Sequence, residues 1–287
     1  GGAVYWSVIA SNGKLFKCNF TNNYANYGGS GLYWDGSNGI IMDSIFVNNT
    51  SNTTAAGGAF YTSSRSTNSS LNRCTFINNT GGRNAGGIYW NGANGTISDS
   101  TFISNTANNT GGGILWSGAN GTLTNSNFIN NNAANSGGAV YWNGANGTLS
   151  NSNFIKNSVK NSNGGAIEWG GVNGIITNSN FTSNSAMGNA GGGVHLYGAN
   201  GTITNSIFTD NSAELGGGVC WGNQNGTLSG CTFNNNIATS AGGGINWWGI
   251  NGKLIDSKFN NNAANLGGAI YWSSSNRTML NCNFTNN

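Results

Sequence analysis

Seven residues of this 287-residue chain are acidic: Asp35, Asp43, Asp99, Glu168, Asp210, Glu214 and Asp256. Cleaving a polysaccharide by acid–base chemistry needs two carboxylates on one exposed face, or a carboxylate cluster holding Ca²⁺. Asp43, Asp99 and Asp256 are far apart in sequence, and Asp210 with Glu214 is the one close pair. Glu168, His195 and Cys220 form a sharper constellation, because they follow one another at intervals of 27 and 25 residues. A thiol, the chain's one imidazole and a carboxylate resemble a Cys–His–acid arrangement, or three ligands for zinc. Their value depends on the elements that carry them.

Those elements repeat. Phe-x-x-Asn occurs eleven times at intervals of 25 to 30 residues, from Phe20 to Phe284. The first ten pairs are Phe20 and Asn23, Phe46 and Asn49, Phe76 and Asn79, Phe102 and Asn105, Phe128 and Asn131, Phe154 and Asn157, Phe181 and Asn184, Phe208 and Asn211, Phe233 and Asn236, and Phe259 and Asn262. A fixed period near 26 marks a solenoid of stacked units. Upstream of each Phe stands Gly-Gly-(Ala/Gly)-aliphatic, as in Gly137-Gly138-Ala139-Val140, with Trp two residues later in nine units and Thr62 or Leu196 in the others. Period-two spacing places the aliphatic and Trp columns on one face of a strand. A turn follows, usually Asn-Gly, then a second aliphatic column, then a column that is always Ser or Cys. The step of three and then two residues that ends at Phe implies a bend, often at Asn or Asp, as at Asp43, Asn125 and Asp256.

Three such strands per unit have one inward face each and no room for helical crossovers. Stacked at about 4.8 Å per coil, they make three parallel sheets round a packed core, and eleven coils make a rod roughly 50 Å long. The fold expected is all-β, a single-stranded parallel β-helix of about 11 coils of ~26 residues. It forms one repeat domain over 1–287, read as a segment of a longer chain. The Phe and Asn ladder is then architectural: stacked amides bond from coil to coil and satisfy polar groups that burial would orphan. Spacing between the ladder Asn and the Trp column runs from 10 to 13 residues, longest from Asn49 to Thr62, so that turn is the variable edge.

In this frame Glu168, His195 and Cys220 fall in successive coils, in the outward column between aliphatic residue and Trp. An exposed strand face lacks an oxyanion hole and a means of excluding water, so a surface pair of Glu168 with His195 is the expectation, with no catalytic residue, metal or cofactor. Most of the same column is Tyr: Tyr5, Tyr33, Tyr61, Tyr89, Tyr141 and Tyr271. Stacked aromatics on a flat sheet suit sugar rings or partner side chains, making these six the candidate recognition surface. Asn94, Asn120, Asn146, Asn200 and Asn225 begin Asn-Gly-Thr sequons and are candidate N-glycosylation sites. Four of the five cysteines occupy the inward Ser/Cys column in non-adjacent units, as small buried side chains rather than a disulfide framework. Ten basic residues against seven acidic give no nucleic-acid footprint.

The paired Gly-Gly-(Ala/Gly)-(Ile/Leu/Val) and Phe-x-x-Asn motifs resemble the repeats of chlamydial polymorphic outer-membrane proteins and of adhesin-like surface proteins of methanogenic archaea. The resemblance covers all 287 residues. It implies a right-handed β-helix, an extracellular or cell-surface location, and a stiff stalk mediating adhesion. The partners it implies are a host or neighbouring cell surface, glycans on it, and further repeats of the chain or end-to-end self-association. Two alternatives stand beside it: a carbohydrate-active, pectate-lyase-like β-helix enzyme, and a purely structural envelope or fibre component.

Overall fold

A computed structural model describes residues 1–52 and 57–287. The chain is a right-handed parallel β-solenoid of eleven coils, without helices among the described residues. The first sheet runs from Val4–Trp6 to Ile270–Trp272, the second from Lys14–Phe16 to Thr278–Leu280, and the third from Asn19–Thr21 to Asn283–Thr285, with eleven strands each. A fourth sheet of nine strands, from Tyr24–Ala25 to Ile237–Ala241, follows the ladder Asn. Most of its strands are only two residues long, too short to show alternation, which is why the sequence predicts three sheets and not four. Residues 53–56 of the longest variable turn lie outside the described residues.

Four corners per coil separate these strands, and each is a residue in the left-handed region. The turn Asn has φ near +55° to +60°, from Asn12 to Asn276. The bend between second and third strands does the same at Asp43, Asn125 and Asp256. The third corner is not the ladder Asn but the residue before it, such as Asn22, Asn130 or Asp210. A glycine before the first sheet supplies the fourth, replaced once by Ala85. Ordinary L-residues pay roughly 1–2 kcal/mol in that conformation, whereas Asn and Asp hydrogen-bond locally and adopt it more readily. The Asn richness of the chain follows directly.

Inside, like stacks on like. The Phe rings lie 4.5 to 5.0 Å apart, tilted 1° to 11°. The Trp rings stack at 4.4 to 5.3 Å, with breaks at Thr62 and Leu196. The glycine of Asn-Gly makes room for this stack rather than for a positive φ: a Cβ on Gly95 would lie 2.0 Å from Trp90 Nε1, although in the last coil Arg277 stands there beside a Trp272 still stacked on Trp247. Where Thr62 replaces Trp, Ser69 replaces that glycine and its hydroxyl accepts from Gly39 N–H at 3.0 Å.

The ladder Asn is fully bonded. Asn131 Nδ2 donates to Asn157 Oδ1 on the next coil and to the Phe102 carbonyl on the preceding one, at 3.0 and 2.9 Å. Its own Oδ1 accepts from the backbone and side-chain N–H of Asn105. The Ser column works similarly, with Ser126 Oγ donating to the Thr124 carbonyl and accepting from Ser100 N–H. A thiol can imitate this, and Cys74 Sγ donates to the Asn72 carbonyl at 3.3 Å.

Candidate functional site

The acidic residues are mostly committed to the frame. Asp43 is a left-handed corner paired with Arg73 at 2.7 Å, while Asp99 and Asp256, also corners, accept from Asn125 and Asn281 on the neighbouring coils. Asp210 accepts from Asn235 Nδ2 at 3.1 Å. Buried Asp35 takes the Arg65 Nε–H at 3.1 Å and the Ser63 hydroxyl. Burial pushes the Asp35 pKa up, but these hydrogen bonds and the guanidinium charge outweigh it and hold the carboxyl below its ordinary value. Among the described residues, no group of three His, Cys, Asp or Glu is placed to hold a metal ion.

The outward column of the first sheet divides into two parts. Tyr5, Tyr33, Tyr61 and Tyr89 are in register on adjacent coils, with ring centroids 4.9, 4.8 and 4.9 Å apart. Tyr5 is 60% exposed and the other three half-buried. Partial burial, with neighbouring phenols and Asp35 adding to it, raises the Tyr61 pKa to about 12. The six-tyrosine surface is thus a four-ring stack. Buried Leu115 ends it, Tyr141 turns to a different partner, and Tyr271 sits beside Asn246.

Beyond Tyr141 the column reads Glu168, His195, Cys220 and Asn246, each paired with the next in the ladder. The sequence predicts an exposed row; the structure buries it, with exposures of 6, 8, 0 and 0%. Over the Glu168 and His195 end of the row the cover is Tyr197, two residues past His195. Its ring lies 5.6 Å from the imidazole, and its hydroxyl reaches back two coils to the Tyr141 hydroxyl at 3.0 Å. It crosses Gly170, where a Cβ would lie 2.3 Å from the Tyr197 oxygen. The sequence carried a signal for this, since the position after the Trp column is small or polar except at Tyr197 and Trp248.

Glu168 Oε1 and His195 Nδ1 are 3.5 Å apart, a contact rather than a good hydrogen bond. Burial, and then the nearby Glu168 charge, push the Cys220 thiol well above its ordinary value. Such a thiol stays protonated and is a poor nucleophile. The three residues are therefore adjacent, as the repeat period implies, but they do not form a thiolate–imidazole pair.

The candidate glycosylation residues Asn94, Asn120, Asn146, Asn200 and Asn225 are exposed at their turns. They belong to an outer amide ladder, in which Asn120 Nδ2 donates to Asn94 Oδ1 and Asn146 Nδ2 to Asn120 Oδ1, both at 3.0 Å. The free cysteines divide by depth. Cys74, Cys220 and Cys231 are buried, while Cys18 and Cys282 are partly open.

A family model described as a right handed beta helix region matches residues 150–287. No curated protein matches the chain in sequence. Similar solved structures include the A-module of a mannuronan C-5 epimerase from Azotobacter vinelandii, 13% identical with a TM-score of 0.49, covering 96% of this chain and 91% of that one. An alginate lyase is 11% identical with a TM-score of 0.42, over 99% and 79%. The surface protein and adhesin PfbA of Streptococcus pneumoniae is 9% identical with a TM-score of 0.36, over 95% and 91%.

Proposed function

We propose that this chain is a non-catalytic, adhesin-like repeat segment of a surface protein, a stiff rod whose first sheet presents aromatic rings to glycans on a neighbouring cell. The observation that carries this reading is the stack of Tyr5, Tyr33, Tyr61 and Tyr89. Stacked face to face, the four phenol rings present their edges along the rod, an apolar strip that carries hydroxyl donors and suits the mixed surface of sugars. The likeness of the paired motifs to archaeal and chlamydial surface repeats supports the same role and an extracellular location. A second support is the commitment of the five aspartates to corners, hydrogen bonds and ion pairs.

The test is adhesion of cells and binding to a glycan array by the intact rod and by a Tyr33→Ser/Tyr61→Ser variant. Loss of adhesion in the variant, with an unchanged circular dichroism spectrum, is the expected result. Adhesion that survives the double substitution, or release of shortened oligosaccharides from acidic or neutral polysaccharides by the intact rod, would overturn the reading.

A further inference from the structure

The turn from Thr62 to Asn68 spans six residues where nine of the other ten coils use four. The added length is bent back over the preceding coil and fixed there. Ser66 Oγ donates to the Trp34 carbonyl at 2.7 Å. The Arg65 backbone N–H donates to Ser63 Oγ at 3.1 Å, and that hydroxyl in turn donates to Asp35. The Arg65 side chain closes on both oxygens of the same carboxylate, through Nε and Nη2. Asp35 is 2% exposed, whereas the Arg65 side chain is 62% exposed. The pair is neutral in sum but one-sided: its anion lies under the turn and its cation faces solvent.

A guanidinium carries five N–H donors, and Asp35 takes two of them. Three remain, in a planar fork whose orientation the buried carboxylate sets. This fork stands beside the tyrosine stack. Asp35 follows Tyr33 by two residues, roughly 7 Å along the strand. The phenol senses the cation: burial raises the Tyr33 pKa, Asp35 and Tyr5 add to it, and Arg65 works against them.

We propose that Arg65 and the stack of Tyr5, Tyr33 and Tyr61 form one binding site for an acidic sugar, with the guanidinium pairing its anionic group and the phenol edges meeting its ring. The donor pattern selects the charge. Arg65 offers donors and no acceptor, and its fork matches two oxygens of a carboxylate or a sulfate ester. The hydroxyls of a neutral sugar meet it only one bond at a time. A cationic ligand would be repelled, because Asp35 is covered and its oxygens are already bonded.

This assignment deepens the adhesive reading and rests on it for the sugar. The experiment is calorimetric titration of the whole chain with oligosaccharides of matched length, one neutral, one built of uronate and one sulfated. An acidic chain should bind at least about tenfold more tightly than the neutral one, a difference of about 1.4 kcal/mol. Preference for either acidic chain supports the site and names its anion. Arg65→Gln should abolish the preference. Because that change leaves Asp35 buried without its partner, Arg65→Gln/Asp35→Asn, which removes both charges, is the second variant and should lose the preference equally. Lys258→Gln, which removes a positive charge from the third sheet, should leave it intact. Equal affinity for neutral and acidic chains, a preference that survives Arg65→Gln, or no binding of any of the three overturns the proposal. If neutral and acidic chains bind equally while Tyr33→Ser/Tyr61→Ser still abolishes adhesion, the charge assignment falls and the adhesive reading stands.

Discussion

Single residues in this protein are read through their depth and their neighbours on the two adjoining coils. Cysteine is the clearest case. Burial raises the Cys74 pKa to about 11 and the Cys231 pKa to about 12, and pushes Cys220 up as well. Alkylation of the native chain near pH 8 should therefore leave Cys74, Cys220 and Cys231 unlabelled until the chain unfolds, which peptide mass spectrometry would show. Asp35 gives a pH prediction. Its folded pKa is lowered, so its contribution is full above the unfolded value and is lost as pH falls through the folded one. Melting temperatures measured between pH 6 and 3 should drop further for the native chain than for Asp35→Asn. Equal drops would show that the Arg65 pair contributes nothing.

At the scale of elements, the sequence revealed most where a column is uniform. The Phe, Trp, aliphatic and Ser/Cys columns have period-two or fixed spacing, and all of them face inward as that spacing implies. It revealed least where the determinant is a side chain crossing coils. Nothing in a 26-residue period says that Tyr197 reaches back to Tyr141, so the burial of Glu168 and His195 could not be read from it. The third corner was hidden for another reason. Its column mixes Asn, Ser, Lys and Asp, whereas the uniform Asn beside it, between the third and fourth strands, is not left-handed at all. The pairing of Trp with the turn glycine is a testable coupling. A Cβ on Gly121 would lie 2.4 Å from Trp116 Nε1. Gly121→Ser should cost about 2 kcal/mol by overpacking in the native chain and little in a Trp116→Thr background, the combination already present at Thr62 and Ser69. Equal costs in both backgrounds, from denaturant melts of the four chains, would refute the coupling.

For the whole molecule, each coil touches only its neighbours, and stability is a sum of coil and interface terms. A defect should therefore divide the rod rather than weaken it evenly. Asn131→Ala removes the partners of Asn105 N–H, Asn105 Nδ2 and the Phe102 carbonyl at mid-length. It should cost about 3 kcal/mol or more by orphaning buried groups. Hydrogen exchange should accelerate over the coils on either side of it and leave distant coils protected. Uniform acceleration along the chain would indicate a single cooperative block.

The breaks in the inner indole stack have a further consequence. Trp6 and Trp34 form one run, Trp90, Trp116, Trp142 and Trp169 a second, and Trp221, Trp247 and Trp272 a third, with Thr62 and Leu196 between them. Chromophores at such separations couple their electronic transitions, whereas Thr62 and Leu196 insulate each run from the next. The rod thus carries three optical antennae of different length, wired in series along its axis. Their excitonic signals in the near ultraviolet would fade separately as the solenoid unzips from either end, so that a light beam could tell which half lets go first.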